Sequence, residues 1–162
     1  MALAKLLGFA AIISAGLDFN EDRPPAPLVD FSGRTCLALV GFSEARDQGD
    51  AGMAATMQVV INRAIDPAGR WPRTLCDVAL QPGQFVGLDR WPTPRHPERI
   101  DAASWSRALD IADQVIAGTA PVPFACSAAT AFDQDAHIDR AGIVCRLGAH
   151  TFYAAPPIVA AN

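Results

Sequence analysis

The sequence predicts an α+β fold in which helices come first and a small antiparallel β-hairpin or sheet follows. Residues 35–117 hold several segments with the apolar spacing of amphipathic helices. The chain then has two short segments that favour β-strands, 124–132 and 142–153, joined by the polar residues 133–141. Helices and strands that are segregated along a chain are typical of the α+β class.

Each helical element is bounded by the positions of proline, glycine and polar residues. Asp66-Pro67 ends the second helix, because the residue before proline disfavours helical geometry. Gly118 stands where a glycine would cap the last helix. The expected elements are helices over 35–46, 51–65, 74–80 and 101–117, with a loop over 86–99.

Glu44 stands in an unusual position for a charged residue. In the helix expected over 35–46 it shares one face with Leu37, Val40 and Gly41. A carboxyl group beside apolar neighbours loses hydration, which raises its pKa and suits a general acid. Pairing with Arg46 or Arg63, or a place at the solvated edge of the helix, is the alternative.

The N-terminal residues differ in character from the rest of the chain. Residues 1–19 carry one positive charge, at Lys5, followed by roughly a dozen apolar or small residues. This pattern indicates a signal peptide or a signal anchor with transient membrane contact, and a buried helix is the alternative. Residues 20–33 are rich in proline and charge and indicate a linker. Residues 34–155 then form the main domain and 156–162 a tail.

Composition limits the classes of function. With 162 residues, 51% hydrophobic and 19% charged, the chain is expected to form one globular domain. The net charge of −4 gives no support for a nucleic-acid partner. Neither the cysteines nor the histidines, His96, His137 and His150, have the spacing of metal ligands. We therefore expect no metal and no cofactor.

The cysteines indicate disulfide bonds. The chain has four, Cys36, Cys76, Cys126 and Cys145, an even number in a protein that is expected to be exported. Of the three possible pairings, Cys126–Cys145 is favoured because the segments around these residues could form neighbouring antiparallel strands. Cys36–Cys76 then follows by elimination, and four reduced thiols are the alternative.

Polar and aromatic side chains in three motifs are candidates for one cleft. Amides can bind hydroxyl groups and aromatic faces can stack on sugar rings, so together they suit a glycan. Each residue taken singly also fits a structural role. The candidates are Asn62 in "INR", Gln84 and Phe85 in "QPGQF", and His150 and Tyr153 in "GAHTFY".

Four motifs together resemble the cell wall hydrolase family of the spore cortex-lytic enzymes. They are "SEAR" (43–46), "VVINRAIDP" (59–67), "TLCDVALQPGQF" (74–85) and "GAHTFY" (148–153). The resemblance spans about residues 34–153. It implies a lysozyme-like catalytic domain that cuts the glycan strands of peptidoglycan as a lytic transglycosylase. It also implies that Glu44 is the catalytic acid. We expect Ser43 and the cleft candidates to bind substrate beside it.

The chain departs from the family pattern at several positions. Ser43 replaces the usual glycine before the glutamate, and Asp47-Gln48 stands where a Gly-Glu pair is common. Val86 stands where a serine is common, and Ala149 replaces the asparagine of "GNH". These departures fit a divergent lysis enzyme, including one that is encoded by a phage or carried on a phage particle.

Two other classes of function remain open from the sequence. One is a cysteine peptidase or amidase that acts on wall peptides, with Cys36 as nucleophile and His150 or His137 as base. The other is a non-enzymatic wall-binding or phage structural protein that retains the fold.

Overall fold

The computed structural model describes residues 31–89, 101–134 and 142–155, and it confirms the α+β class. The predicted signal segment 1–19, most of the linker and the tail 156–162 lie outside these residues. No helix in the described ranges has the length and apolar composition needed to cross a membrane.

Five α-helices precede a three-stranded sheet. The helices are α1 (Phe31–Ala45), α2 (Gly49–Ala64), α3 (Leu75–Ala79), α4 (Val86–Asp89) and α5 (Ala102–Ile116). A one-turn 3-10 helix at Phe124–Cys126 leads into the strands β1 (Ala131–Asp133), β2 (Ile143–Leu147) and β3 (His150–Tyr153).

Helix α1 is the central element of the helical part. It packs against α2, α3, α4 and α5. Most of its side chains are therefore buried, as expected for a helix that is apolar on all sides. It begins at Phe31, four residues before the predicted start, so the end of the predicted linker is helical. Arg34 in this added turn forms a bidentate ion pair with Asp113 of α5.

The other predicted helices are present with small shifts at their ends. The Thr74 hydroxyl accepts a hydrogen bond from the backbone N–H of Asp77 and caps α3. The Asp101 carboxylate accepts one from the N–H of Ala103 and caps α5. The prediction of a loop over 86–99 is wrong at its start, because Val86–Asp89 forms α4 and docks on α1. Residues 90–99 lie outside the described ranges.

The sheet differs from the predicted hairpin. Its strand order is β1-β3-β2, and both pairings are antiparallel. The segment 142–153 contains two strands, because Gly148 adopts a positive φ of 59° and turns the chain back on itself. The segment 124–132 contributes only β1, at its end, after the 3-10 helix.

Two disulfides join the elements. Cys36–Cys76 links α1 to α3, and Cys126–Cys145 links the 3-10 helix to β2. The presence of disulfides is confirmed, and the pairing is the one favoured from the sequence. The expectation that neighbouring strands hold Cys126 and Cys145 is wrong in part, since Cys126 lies in a 3-10 helix and not in a strand.

Candidate functional site

A cleft of about 430 Å³ opens where the end of α1, the turn before α4, α4 itself and β1 come together. Helices thus supply one wall and the sheet supplies the other. The residues that line it are Ser43, Glu44, Gln84, Val86, Gly87, Phe132, Asp133 and Gln134.

Glu44 lies in the last turn of α1, where the helix leaves the core and reaches the cleft. Its neighbours on the same face, Leu37 and Val40, are fully buried, whereas Glu44 is half-buried. Its Oε1 accepts a hydrogen bond of 3.1 Å from the backbone N–H of Leu88. Helix α4 therefore fixes one oxygen of the carboxyl group against the wall of the cleft.

Gly87 allows α4 to come this close to α1. A Cβ atom at this position would lie 2.6 Å from the carbonyl oxygen of Ser43 and 2.8 Å from Glu44 Oε1. Both distances are too short for a side chain to be accepted without movement. This close approach was not predicted, because its only signal in the sequence is a glycine two positions after "QPGQF".

Ser43 and Gln84 are the two predicted substrate-binding residues that line the cleft. The Ser43 hydroxyl donates to the carbonyl oxygen of Val40 at 3.3 Å, within its own helix. Gln84 is exposed, and its Oε1 accepts a hydrogen bond of 3.3 Å from Arg63 Nη1. The structure thus brings both side chains to the same opening as Glu44.

Arg63 is a buried cation that contacts Gln84. Only 6% of the residue is exposed, and its Nε donates to the carbonyl oxygen of Thr130 at 2.7 Å. The guanidinium lies over the rings of Phe85 and Trp71, at 5.2 and 5.7 Å from their centroids. Burial lowers the pKa of Arg63 to about 10. The side chain is therefore still charged at neutral pH.

The other four predicted substrate-binding residues, among them His150, lie outside the lining of the cleft. The Asn62 amide donates to the carbonyl oxygens of Ser127 and Ala129 at 2.8 and 2.7 Å, and so ties α2 to the chain before β1. Phe85 is buried beneath Arg63, and Tyr153 is buried in β3. Asn62, Phe85 and Tyr153 therefore have structural contacts and do not face the cleft.

His150 is buried below the sheet side of the cleft. It is 1% exposed, and its ring centroid lies 5.0 Å from that of Phe132. Its Nε2 lies 3.5 Å from Gln134 Nε2, while its Nδ1 has no hydrogen-bond partner among the described residues. Burial lowers the pKa of His150, and the charges of Asp47 and Asp133 oppose this effect only in part. The imidazole is therefore held towards its neutral form.

Asp133 is a second carboxylate of the cleft, and it was not among the predicted site residues. It ends β1, opposite Thr151 of β3, and lines the same opening as Glu44. The available signal was an acidic residue at the point where an apolar β-segment meets the polar residues 133–141. A side chain on a strand is held in position more precisely than one on a loop.

The acidic residues that follow Glu44 in sequence have other partners. Asp47 accepts a hydrogen bond of 2.9 Å from the Gln48 amide, and this bond lowers the pKa of Asp47. Asp50 forms an ion pair with Arg107 of α5. The Gln48 Oε1 accepts a hydrogen bond of 2.7 Å from the N–H of Ala149. The loop after α1 is thereby attached to the turn between β2 and β3.

The cysteine-peptidase alternative is overturned by the disulfides. Cys36 is bonded to Cys76, and none of the four cysteines is free. A nucleophilic thiol therefore has no source in the oxidised chain, and His137, one of the two proposed bases, lies outside the described residues. In the described ranges, no group of three or more His, Cys, Asp or Glu side chains is arranged to hold a metal ion.

Comparison with known protein families gives a match. A family model described as Cell Wall Hydrolase matches residues 47–153, well over half of the chain. The match covers α2 to β3 and begins just after Glu44. Searches of curated proteins and of solved structures give no match.

Proposed function

Because the chain belongs to the cell wall hydrolase family, we propose that it cleaves the glycan strands of peptidoglycan with Glu44 as its catalytic acid. Membership implies peptidoglycan as the substrate and the cell wall as the place of action. The bond cleaved is the one between N-acetylmuramic acid and N-acetylglucosamine. The proposed catalytic domain is residues 34–155, extended at its start by the first turn of α1.

The observation that carries this proposal is the position of Glu44. It is a half-buried carboxyl group at the wall of a cleft that also presents an amide, a hydroxyl and an aromatic ring. The Leu88 N–H binds Oε1 and fixes the carboxyl group at the wall of the cleft. A carboxylic acid held in this way can protonate the glycosidic oxygen as the bond breaks.

We propose further that the second step is a transglycosylation. After the leaving group departs, the ionised Glu44 takes the proton of the 6-hydroxyl group of the muramic acid residue. That hydroxyl oxygen bonds to the anomeric carbon and closes a 1,6-anhydro ring. One carboxyl group serves as acid and then as base, so no water is consumed and the reaction is balanced without a co-reactant.

Mass spectrometry of digested peptidoglycan tests this step. Anhydro-ended fragments have a mass one water below that of the hydrolytic fragments. Purified peptidoglycan treated with the wild-type enzyme is expected to yield anhydro ends. Products with reducing ends alone would contradict the transglycosylase step and would leave Glu44 as the acid of a hydrolysis.

Asp133 favours hydrolysis as a second candidate reaction. Hydrolases that act on glycosidic bonds normally use two carboxyl groups, one as acid and the other as base or nucleophile. Glu44 on the helical wall and Asp133 on the sheet line one cleft and could fill these roles. Reducing-end products together with a large loss of rate in Asp133→Asn would support this reaction.

Catalysis itself can be distinguished from wall binding alone. A non-enzymatic wall-binding or phage structural protein would bind peptidoglycan without producing a lytic band in a zymogram. The proposed enzyme is expected to give a clear band.

We propose export directed by residues 1–19, and the intact mass of the exported protein tests whether that segment is removed.

A further inference from the structure

The contact between Arg63 and Gln84 fixes the orientation of an amide in the cleft. A guanidinium group has only N–H donors, so the atom of Gln84 that lies 3.3 Å from Arg63 Nη1 must be the carbonyl oxygen. The other end of the amide is the NH₂ group. With its oxygen held by Arg63, Gln84 is left with a donor for whatever occupies the cleft.

Arg63 is suited to hold this orientation. It is buried, it also donates to the Thr130 carbonyl oxygen at 2.7 Å, and two aromatic rings lie against its face. No carboxylate within the described residues forms an ion pair with it. Its charge therefore acts on neutral carbonyl groups, and a carbonyl oxygen bound to a cation makes the same amide a stronger N–H donor.

Two apolar side chains line the same cleft as this donor. Val86 is 52% exposed although it is a large apolar side chain, and Phe132 lines the cleft from the sheet. A hydrogen-bond donor next to an apolar surface is complementary to a group that has both a carbonyl oxygen and a methyl group. The acetamido group of an N-acetylated sugar has both.

We propose that Gln84 and Val86 form a subsite for the acetamido group of the glycan, and that Arg63 is the positioning residue that keeps the Gln84 NH₂ group directed towards it. This proposal rests on the proposed glycan cleavage. The subsite gives the proposed cleavage a substrate specificity, because the enzyme should distinguish an N-acetylated sugar from the corresponding free amine. An ammonium group offers donors where the subsite also offers a donor, and it has no methyl group to contact Val86.

The variant Gln84→Glu tests the proposal because it changes the donor to an acceptor with almost no change in shape. One carboxylate oxygen can still bind Arg63, while the other faces the cleft as an acceptor. Rates are measured on N-acetylated glycan strands of peptidoglycan and on the same strands after chemical de-N-acetylation. The wild type should prefer the acetylated strands, and Gln84→Glu should lower this preference about tenfold or more, the effect of one lost or mismatched hydrogen bond.

Two further variants complete the test. Gln114→Glu makes the same charge change on the exposed surface of α5 and should leave the preference unchanged. Arg63→Lys keeps a positive charge but loses the planar group that reaches both Thr130 and Gln84, so it should also lower the preference. If Arg63→Lys does not fold, Gln84→Glu alone decides about the subsite.

The outcomes separate this proposal from the proposed function. A wild-type enzyme that cleaves neither type of strand would contradict the proposed function itself. Cleavage by the wild type with the same preference in Gln84→Glu would overturn the acetamido subsite. A lowered preference in Gln84→Glu with an unchanged one in folded Arg63→Lys would overturn the positioning role of Arg63.

Discussion

Gly87 and Glu44 lie so close together that a Cβ atom on Gly87 would stand 2.8 Å from Glu44 Oε1. The same atom would stand 2.6 Å from the carbonyl oxygen of Ser43, which is part of the backbone of α1 and cannot move aside alone. The neighbouring residue Leu88 donates its N–H to Glu44. The position of the carboxyl group in the cleft therefore depends on the absence of a side chain at residue 87.

Gly87→Ala is expected to lower the rate of glycan cleavage about 10- to 100-fold, because a displacement near 1 Å at a catalytic group costs this much. The added methyl group pushes α4 away from α1 and weakens the hydrogen bond between Leu88 and Glu44. Initial rates on purified peptidoglycan measure the effect. A rate equal to that of the wild type would show that Glu44 does not need this contact.

Gly118→Ala is the matched control for that substitution. Gly118 adopts a φ of 70° after α5, and a Cβ atom added to it would meet no other atom within 4 Å, so alanine introduces backbone strain without a clash. We expect a loss of about 1 kcal/mol in the free energy of unfolding with the activity of the folded enzyme unchanged. A similar loss of activity in both variants would mean that instability alone explains Gly87→Ala.

Reduction of the disulfides is expected to destabilise the domain. Cys36–Cys76 and Cys126–Cys145 close loops with sequence separations of 40 and 19 residues. In the chain-entropy description these bonds contribute about 4 and about 3 kcal/mol, respectively. Urea unfolding of the oxidised and the reduced, alkylated protein measures their sum. Equal midpoints, or four alkylated cysteines without prior reduction, would contradict this prediction.

Lowering the pH should destabilise the folded protein because His150 must then be protonated. Burial lowers its pKa in the folded protein below the ordinary value of 6.5, so the folded state favours the neutral ring. The contribution of the neutral His150 ring to the free energy of unfolding is fully present above the pKa that His150 has in the unfolded state. This contribution is lost as the pH falls through the lower pKa of the folded state. The free energy of unfolding in urea is measured at about pH 7.5 and about pH 5.5, and it should fall less between them in His150→Gln than in the wild type. An equal loss in both proteins would contradict the assignment.

Activity is expected to survive a strong chelator. The proposed reaction needs a carboxyl group and no Lewis acid, and the described residues hold no cluster of metal-ligating side chains. Wall lysis in excess EDTA, compared with lysis in buffer alone, measures this. A loss of lysis that zinc or calcium restores would show that a metal ion takes part.

The helical part of the fold was predictable because its signals are local. The apolar period of residues 35–46, the Asp66-Pro67 stop and the glycine after α5 each depend on nearby residues alone. The sheet was less predictable because its pairing is set by contacts between distant segments. A glycine at positive φ divides 142–153 into two strands, and β1 pairs with β3 across the residues between them.

The candidate site also combines residues with local sequence signals and residues that only long-range packing brings together. Glu44 could be selected as a candidate because a carboxyl group on an apolar helical face is unusual in itself, and its expected role as the acid rested on the family resemblance. Asp133 and Gly87 could not be selected, since they come to the same cleft as Glu44 only through the packing of elements that are far apart in sequence. The buried positions of His150 and Tyr153 also depend on how the sheet packs, which the motif containing them does not determine.

The most direct test of Glu44 as the catalytic acid is the rate of glycan cleavage by Glu44→Gln. Glutamine keeps the size of the side chain and can still accept the Leu88 N–H, but it cannot donate a proton and then take one back. Asp77→Asn, which removes an exposed carboxylate on α3, serves as the control. With both variants folded, we predict that Glu44→Gln loses about 100-fold or more of the rate at which new glycan ends form, and that Asp77→Asn keeps it. A Glu44→Gln enzyme that releases glycan ends at the wild-type rate would contradict the central claim.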